Sequence, residues 1–187
     1  MKRDMRHRLT KGIDRVAGML RSLWYRRLYL SWVRFGKSVI FAGPIRCPGV
    51  TGTIGIGDRV YLGGNISLAV AEGGEIDIGP DCSINQGTIL SARRSLRIGA
   101  GTRIGDYCSI RDSDHRISAD TPVLTSGFDC RPVSIGADVW IGRLVTILPG
   151  VKIGDGAVIG AHSLVNSDIP PHALAFGTPA RVQRSLR

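Results

Sequence analysis

An Ile, Leu or Val recurs at every sixth position of this chain. The runs are Ile56, Leu62 and Leu68, then Ile78, Ile84 and Leu90, then Ile98, Ile104 and Ile110. After a long gap the pattern resumes at Ile135, Ile141, Ile147, Ile153, Ile159 and Val165. Neither the 3.6-residue period of a helix nor the 2-residue period of a strand gives that spacing. A six-residue repeat describes a parallel β-helix, a triangular prism in which each short side contributes one inward apolar residue. Glycine commonly follows the apolar residue, where a Cβ would clash at the turn. Small residues (Cys82, Thr88, Thr102, Cys108, Val139, Val145, Val151 and Ala157) recur inside the corners. Three hexapeptides close one coil, so the fifteen apolar positions predict about five coils, spaced by about 4.8 Å as neighbouring strands are.

The interruptions carry information as well. Short insertions between Leu68 and Ile78 and between Leu90 and Ile98 predict corner loops. Between Ile110 and Ile135 the chain leaves the prism through Arg111–Pro132, RDSDHRISADTPVLTSGFDCRP. A polar excursion of that length from a regular solenoid is usually functional or disordered, and this one opens with a histidine among carboxylates.

Two domains are expected: a basic amphipathic helical arm over 1–37, and a β-helix over 38–187 with its excursion at 111–132 and a short tail. Residues 1–37 hold eleven Lys or Arg against two acids, a net +9 of the chain's +10, so the prism itself is almost neutral. Within the arm Ile13, Val16, Ala17, Leu20, Leu23, Trp24, Leu28 and Leu30 fall mostly at helical spacing, with aromatics interleaved. Arg26 and Arg27 interrupt the longest apolar run, so neither a spanning helix nor a signal peptide is expected. A basic helix with interfacial aromatics suits an anionic membrane surface; the alternative is an apolar stripe packed on protein. No nucleic-acid module accompanies the arm, and nucleic acid is not an expected partner. The four cysteines lack CxxC spacing and read as packed free thiols, consistent with a reducing cytoplasm.

The segment from Val133 to Arg181, VSIGADVWIGRLVTILPGVKIGDGAVIGAHSLVNSDIPPHALAFGTPAR, resembles the hexapeptide-repeat acyltransferases of the galactoside, maltose and xenobiotic acetyltransferase type, and the likeness extends over Ile76 to His115. The resemblance implies a left-handed β-helix, a homotrimer with active sites in the clefts between prisms, and acetyl transfer from acetyl-CoA to a hydroxyl or amine. His115 matches the family's catalytic histidine. A neutral imidazole is suited to take the proton of an alcohol that is otherwise a poor nucleophile, and Asp112 or Asp114 would orient the ring. Asn85 matches an acceptor-binding asparagine. Arg93, beside Arg94, stands where the galactoside type has an acid, which suggests an anionic acceptor.

The positions aligned with CoA binding are Trp140, Arg143, Ala161, Asn166, Ser167, Arg181 and Arg184. Of these, Arg181 and Arg184 have the charge for phosphate, and Ser167 stands where many relatives have Lys. His7, His162 and His172 form no close pair of the kind metal-binding relatives use, so no metal is expected.

These readings converge on a trimeric O-acetyltransferase for a sugar, held by residues 1–35 on the inner, cytoplasmic face of a membrane where a lipid-linked glycan would be its acceptor. A soluble sugar or an antibiotic is the alternative acceptor. A non-catalytic scaffold docked to a membrane or partner is the rival from another class; it predicts no acetyl-CoA binding. Acyl carrier protein is not the expected donor, since no helical domain follows the repeats.

Overall fold

The computed structural model describes residues 33–186, together with Leu20, Trp24 and Leu30. Three parallel sheets form the sides of the expected left-handed β-helix. Face A stacks Arg34–Phe35, Thr53–Ile56, Glu75–Ile78, Ser95–Ile98, Val133–Ile135 and Lys152–Ile153. Face B stacks Ile40–Phe41, Tyr61–Leu62, Ser83–Ile84, Arg103–Ile104, Trp140–Ile141, Val158–Ile159 and Ala173–Gly177. Face C stacks Ile45–Arg46, Ile66–Val70, Ile89–Ala92, Ser109–Arg111, Thr146–Ile147 and Leu164–Val165. Face B ends differently: Ala180–Ser185 turns back and pairs antiparallel with Ala173–Gly177.

All fifteen hexad residues are at most 3% exposed. They stack like on like, Ile56 on Ile78 on Ile98 on Ile135 on Ile153 along face A. Such a column removes nearly all its apolar surface from water, at roughly 25 cal/mol per Å².

Six complete coils are present where the repeat count gave five. The extra coil lies at the base, where Phe35 pairs with Ile56 and Phe41 with Leu62. Residues 35, 41 and 47 keep the six-residue spacing, but with Phe, Phe and Cys in place of Ile, Leu or Val. The prism therefore starts at Arg34, within the segment read as arm. Leu30 is fully buried, whereas the helical Leu20 and Trp24 are exposed. The remainder of the arm lies outside the described residues. Among the described residues no helix is long and apolar enough to cross a membrane.

The corners follow one rule. Glycine at the position after the hexad residue lies against the next coil: a Cβ on Gly79 would sit 2.7 Å from the amide nitrogen of Ala100, and one on Gly105 2.6 Å from that of Arg143. Two residues later the backbone enters the left-handed region, at Arg59, Asp81, Tyr107, Asp138, Leu144 and His162 among others, and at Gly87, Gly101, Gly150 and Gly156. The inward small residues do more than fill space. Cys82 donates to the Gly99 carbonyl at 3.1 Å, Thr88 to Gly105 at 3.0 Å, Thr102 to Gly136 at 2.8 Å and Cys108 to Gly142 at 3.1 Å. Each short side chain gives a buried carbonyl one coil away its partner. Burial pushes the thiols of Cys82 and Cys108 up, so they stay protonated.

Candidate active site

The excursion is an ordered hairpin. Ser113–His115 pairs antiparallel with Phe128–Cys130, with His115 opposite Phe128. The Ser126 hydroxyl donates to the Arg116 carbonyl at 2.6 Å, and the Arg116 guanidinium pairs with Asp129 at 3.0 Å. His115 is exposed, and its ring lies 4.3 Å from that of Phe128, centroid to centroid. The Arg93 guanidinium lies 3.3 Å from the same Phe128 centroid, a cation–π contact. His115, Phe128 and Arg93 thus form one column at the corner between faces C and A. Beside it opens a hollow of about 170 Å³ lined by Pro48, Gly49, Ala69, Ser91 and Arg93 among others.

Asp112 has a different role from the one its proximity in sequence suggested. It is fully buried, and its carboxylate accepts from the amides of Arg93, Arg94 and Ser95 at 2.8, 2.7 and 2.8 Å. Its carbonyl accepts from the Arg131 amide at 2.8 Å. Asp112 pins both ends of the excursion's root to the preceding corner, and it does not orient the imidazole. Asp114 is exposed on the hairpin, and among the described residues no carboxylate bonds to the His115 ring.

A second constellation occupies the corner between faces B and C. There the residues following each face-B strand stack from coil to coil: Asn85, Gly105, Gly142 and Gly160. A groove of about 460 Å³ runs along this corner, lined by Asp106, Trp140, Arg143, Val158, Ala161 and Leu174 among others. Three positions matched to CoA binding, Trp140, Arg143 and Ala161, therefore meet in one apolar groove, with Asn85 one coil below it. Trp140 is 61% exposed on the groove wall. Arg184 pairs with Leu174 of the groove wall and Arg181 with Phe176 on the same strand. Asn166 and Ser167 are exposed but follow Leu164–Val165, which puts them on the C–A corner with His115. The predicted residues thus divide between two corners separated by face C. Phe128, the residue that joins His115 to Arg93, was not singled out from sequence; a lone aromatic in a polar excursion was its only mark.

Residues 132–167 match the family model described as bacterial transferase hexapeptide (six repeats). An Escherichia coli K12 protein, WbbJ, named as a lipopolysaccharide biosynthesis O-acetyl transferase, is 30% identical over 139 residues, covering 70% of this chain and 71% of that one. A Mycobacterium tuberculosis protein named as an acetyltransferase is 30% identical over 174 residues; the match covers 87% of this chain but only 58% of that relative's length. Among solved structures, a hexapeptide-repeat acetyltransferase of Vibrio cholerae aligns with a TM-score of 0.62 at 29% identity, covering 91% of this chain and 81% of that one. The Vibrio protein has also been solved with acetyl-coenzyme A.

Proposed function

Because the chain belongs to the hexapeptide-repeat acetyltransferases, we propose that it transfers an acetyl group from acetyl-CoA to a hydroxyl of a sugar, with His115 as general base. The observation that carries this reading is the exposed imidazole held on an ordered hairpin, at the level of the coils whose next corner bears Asn85 and the Trp140 groove. The His115 imidazole takes the acceptor's O–H proton as its oxygen attacks the thioester carbonyl. The C–S bond then breaks, and the imidazolium returns the proton to the leaving thiolate.

No single prism brings these parts together, since His115 and the donor groove stand at opposite ends of face C. A homotrimer in which the C–A corner of one copy meets the B–C corner of the next would complete the site. The outward row of face C supports this arrangement: above Arg46 at its base, Ser67, Ile89, Ser109, Thr146 and Leu164 stack in register without a further charge, with Arg111 at the corner, whereas face A shows Asp77, Arg97 and Lys152. Mixed trimers test it. Chains with His115→Ala and chains with Asn85→Ala, each inactive alone, are expected to regain about a quarter of wild-type activity when co-assembled, because one ordered pairing in four restores both halves of a cleft. No recovery in verified mixed trimers would place both residues in one chain's site.

On the donor side, Arg181 and Arg184 are assigned to the CoA phosphates. Replacing both with Ala is expected to weaken acetyl-CoA binding by more than tenfold in calorimetry, the scale of a lost charge-assisted pair. Unchanged affinity would move the phosphates elsewhere on the groove.

The arm is proposed to hold the enzyme on the inner face of a membrane, where the acceptor would be a lipid-linked glycan. Its charge and the exposed Leu20 and Trp24, one helical turn apart, support this reading. Sedimentation with anionic vesicles, and its loss at high salt, is the direct measurement.

A further inference from the structure

Arg93 and Arg94 stand beside the base without an acidic partner. Among the described residues neither guanidinium makes an ion pair or side-chain hydrogen bond, and Arg93 is instead laid on Phe128. Two carboxylates of the same corner are already committed, Asp112 to three backbone amides and Asp129 to Arg116. Both arginines are exposed, and Arg93 stands at the mouth of the hollow lined by Pro48, Ala69 and Ser91. Asp112 fixes their backbone, so the pair is set in place before any ligand arrives.

From this we infer that the acceptor carries an anionic group on the same sugar residue that is acetylated, and that Arg93 and Arg94 bind it. The inference rests on the sugar acetyltransferase reading for the identity of the reacting group. Geometry sets the scale. The two contacts laid end to end, 4.3 Å and 3.3 Å, hold the His115 ring and the Arg93 guanidinium within about 8 Å of each other. A sugar lying beside the Phe128 ring can therefore touch both groups through substituents on neighbouring carbons. A hydroxyl engaged by His115 puts a phosphate or diphosphate ester on a neighbouring carbon of the same ring within reach of Arg93, and a planar guanidinium is shaped to accept it. Nucleoside diphosphate sugars and lipid diphosphate sugars share this chemistry.

The test is calorimetric binding to the full-length protein with four probes: glucose, glucose 1-phosphate, uridine diphosphoglucose, and farnesyl diphosphoglucose in neutral micelles. The expected result is at least tenfold tighter binding of glucose 1-phosphate than of glucose, the scale of a charge-assisted hydrogen bond. Arg94→Ala is expected to bring the two within about threefold, and Arg93→Lys, which keeps the charge and loses the planar fork, to give an intermediate value. The tighter of the two diphosphosugars identifies the carrier. Equal binding of all four, no binding of any, or a preference that survives in both variants would overturn the inference. A preference for the phosphorylated probes with no acetyl transfer to any sugar would leave the anion site standing and sink the acetyltransferase reading.

Discussion

His115→Ala is expected to lower the turnover number for acetyl transfer by about 10³-fold, within the range a positioned general base supplies. Acetyl-CoA affinity should stay within twofold, because the arginines assigned to the CoA phosphates, Arg181 and Arg184, lie on the last strand of face B and not on the hairpin. Thermal stability should hardly move: the side chain is exposed and removes no core contact beyond the edge of Phe128. The measurement is steady-state kinetics with a thiol-release readout, paired with calorimetry for the donor. A loss of less than tenfold would mean that another group takes the acceptor's proton. Absence of acetyl-CoA binding in both proteins would favour a scaffold built on the same fold.

The second large effect concerns stability. Asp112→Ala leaves the amides of Arg93, Arg94 and Ser95 without the acceptor they share, and each such loss costs about 1 kcal/mol or more. The expected destabilisation is about 3 kcal/mol, which for a domain of this length lowers the melting temperature by about 6–12 °C. Because the carboxylate fastens the root of the hairpin to the 93–95 corner, the excursion should become a preferred site of limited proteolysis in the variant. Asp112→Asn keeps one acceptor oxygen and turns its amino group toward donors, so it should fall between the two. A variant that melts within 2 °C of the wild type and resists protease equally would show that the hairpin is anchored by something other than this carboxylate.

The two variants separate what sequence can and cannot express. The prism was legible because its determinant is periodic: every hexad residue from Ile56 to Val165 is inside, and the break after Ile110 is where the chain leaves. The basal coil was hidden by residue type and not by spacing. Phe35, Phe41 and Cys47 keep the period, but large rings and a thiol do not look like the Ile–Leu–Val column, and the insertion after Cys47 resets the phase before Ile56. His115 was findable through the interruption. Phe128 was not, because its pairing with His115 depends on hairpin register across twelve intervening residues. The work of Asp112 left no trace at all, since its partners are backbone amides of the previous coil and amides have no letter in a sequence. Likewise, the assignment of CoA positions by alignment gave a single list, whereas topology divides it between two corners.

The last strand of face B has a meaning for assembly. A β-helix is a stack whose top and bottom rungs present matching rows of donors and acceptors, so two prisms placed end to end are an invitation to indefinite growth. Ala180–Ser185 reverses direction and covers the upper rung of that face with a strand running the wrong way for any parallel successor. A following prism would find two faces in phase and the third opposed. The turn-back is thus a stop signal written in chain direction, and it works against end-to-end growth into fibres.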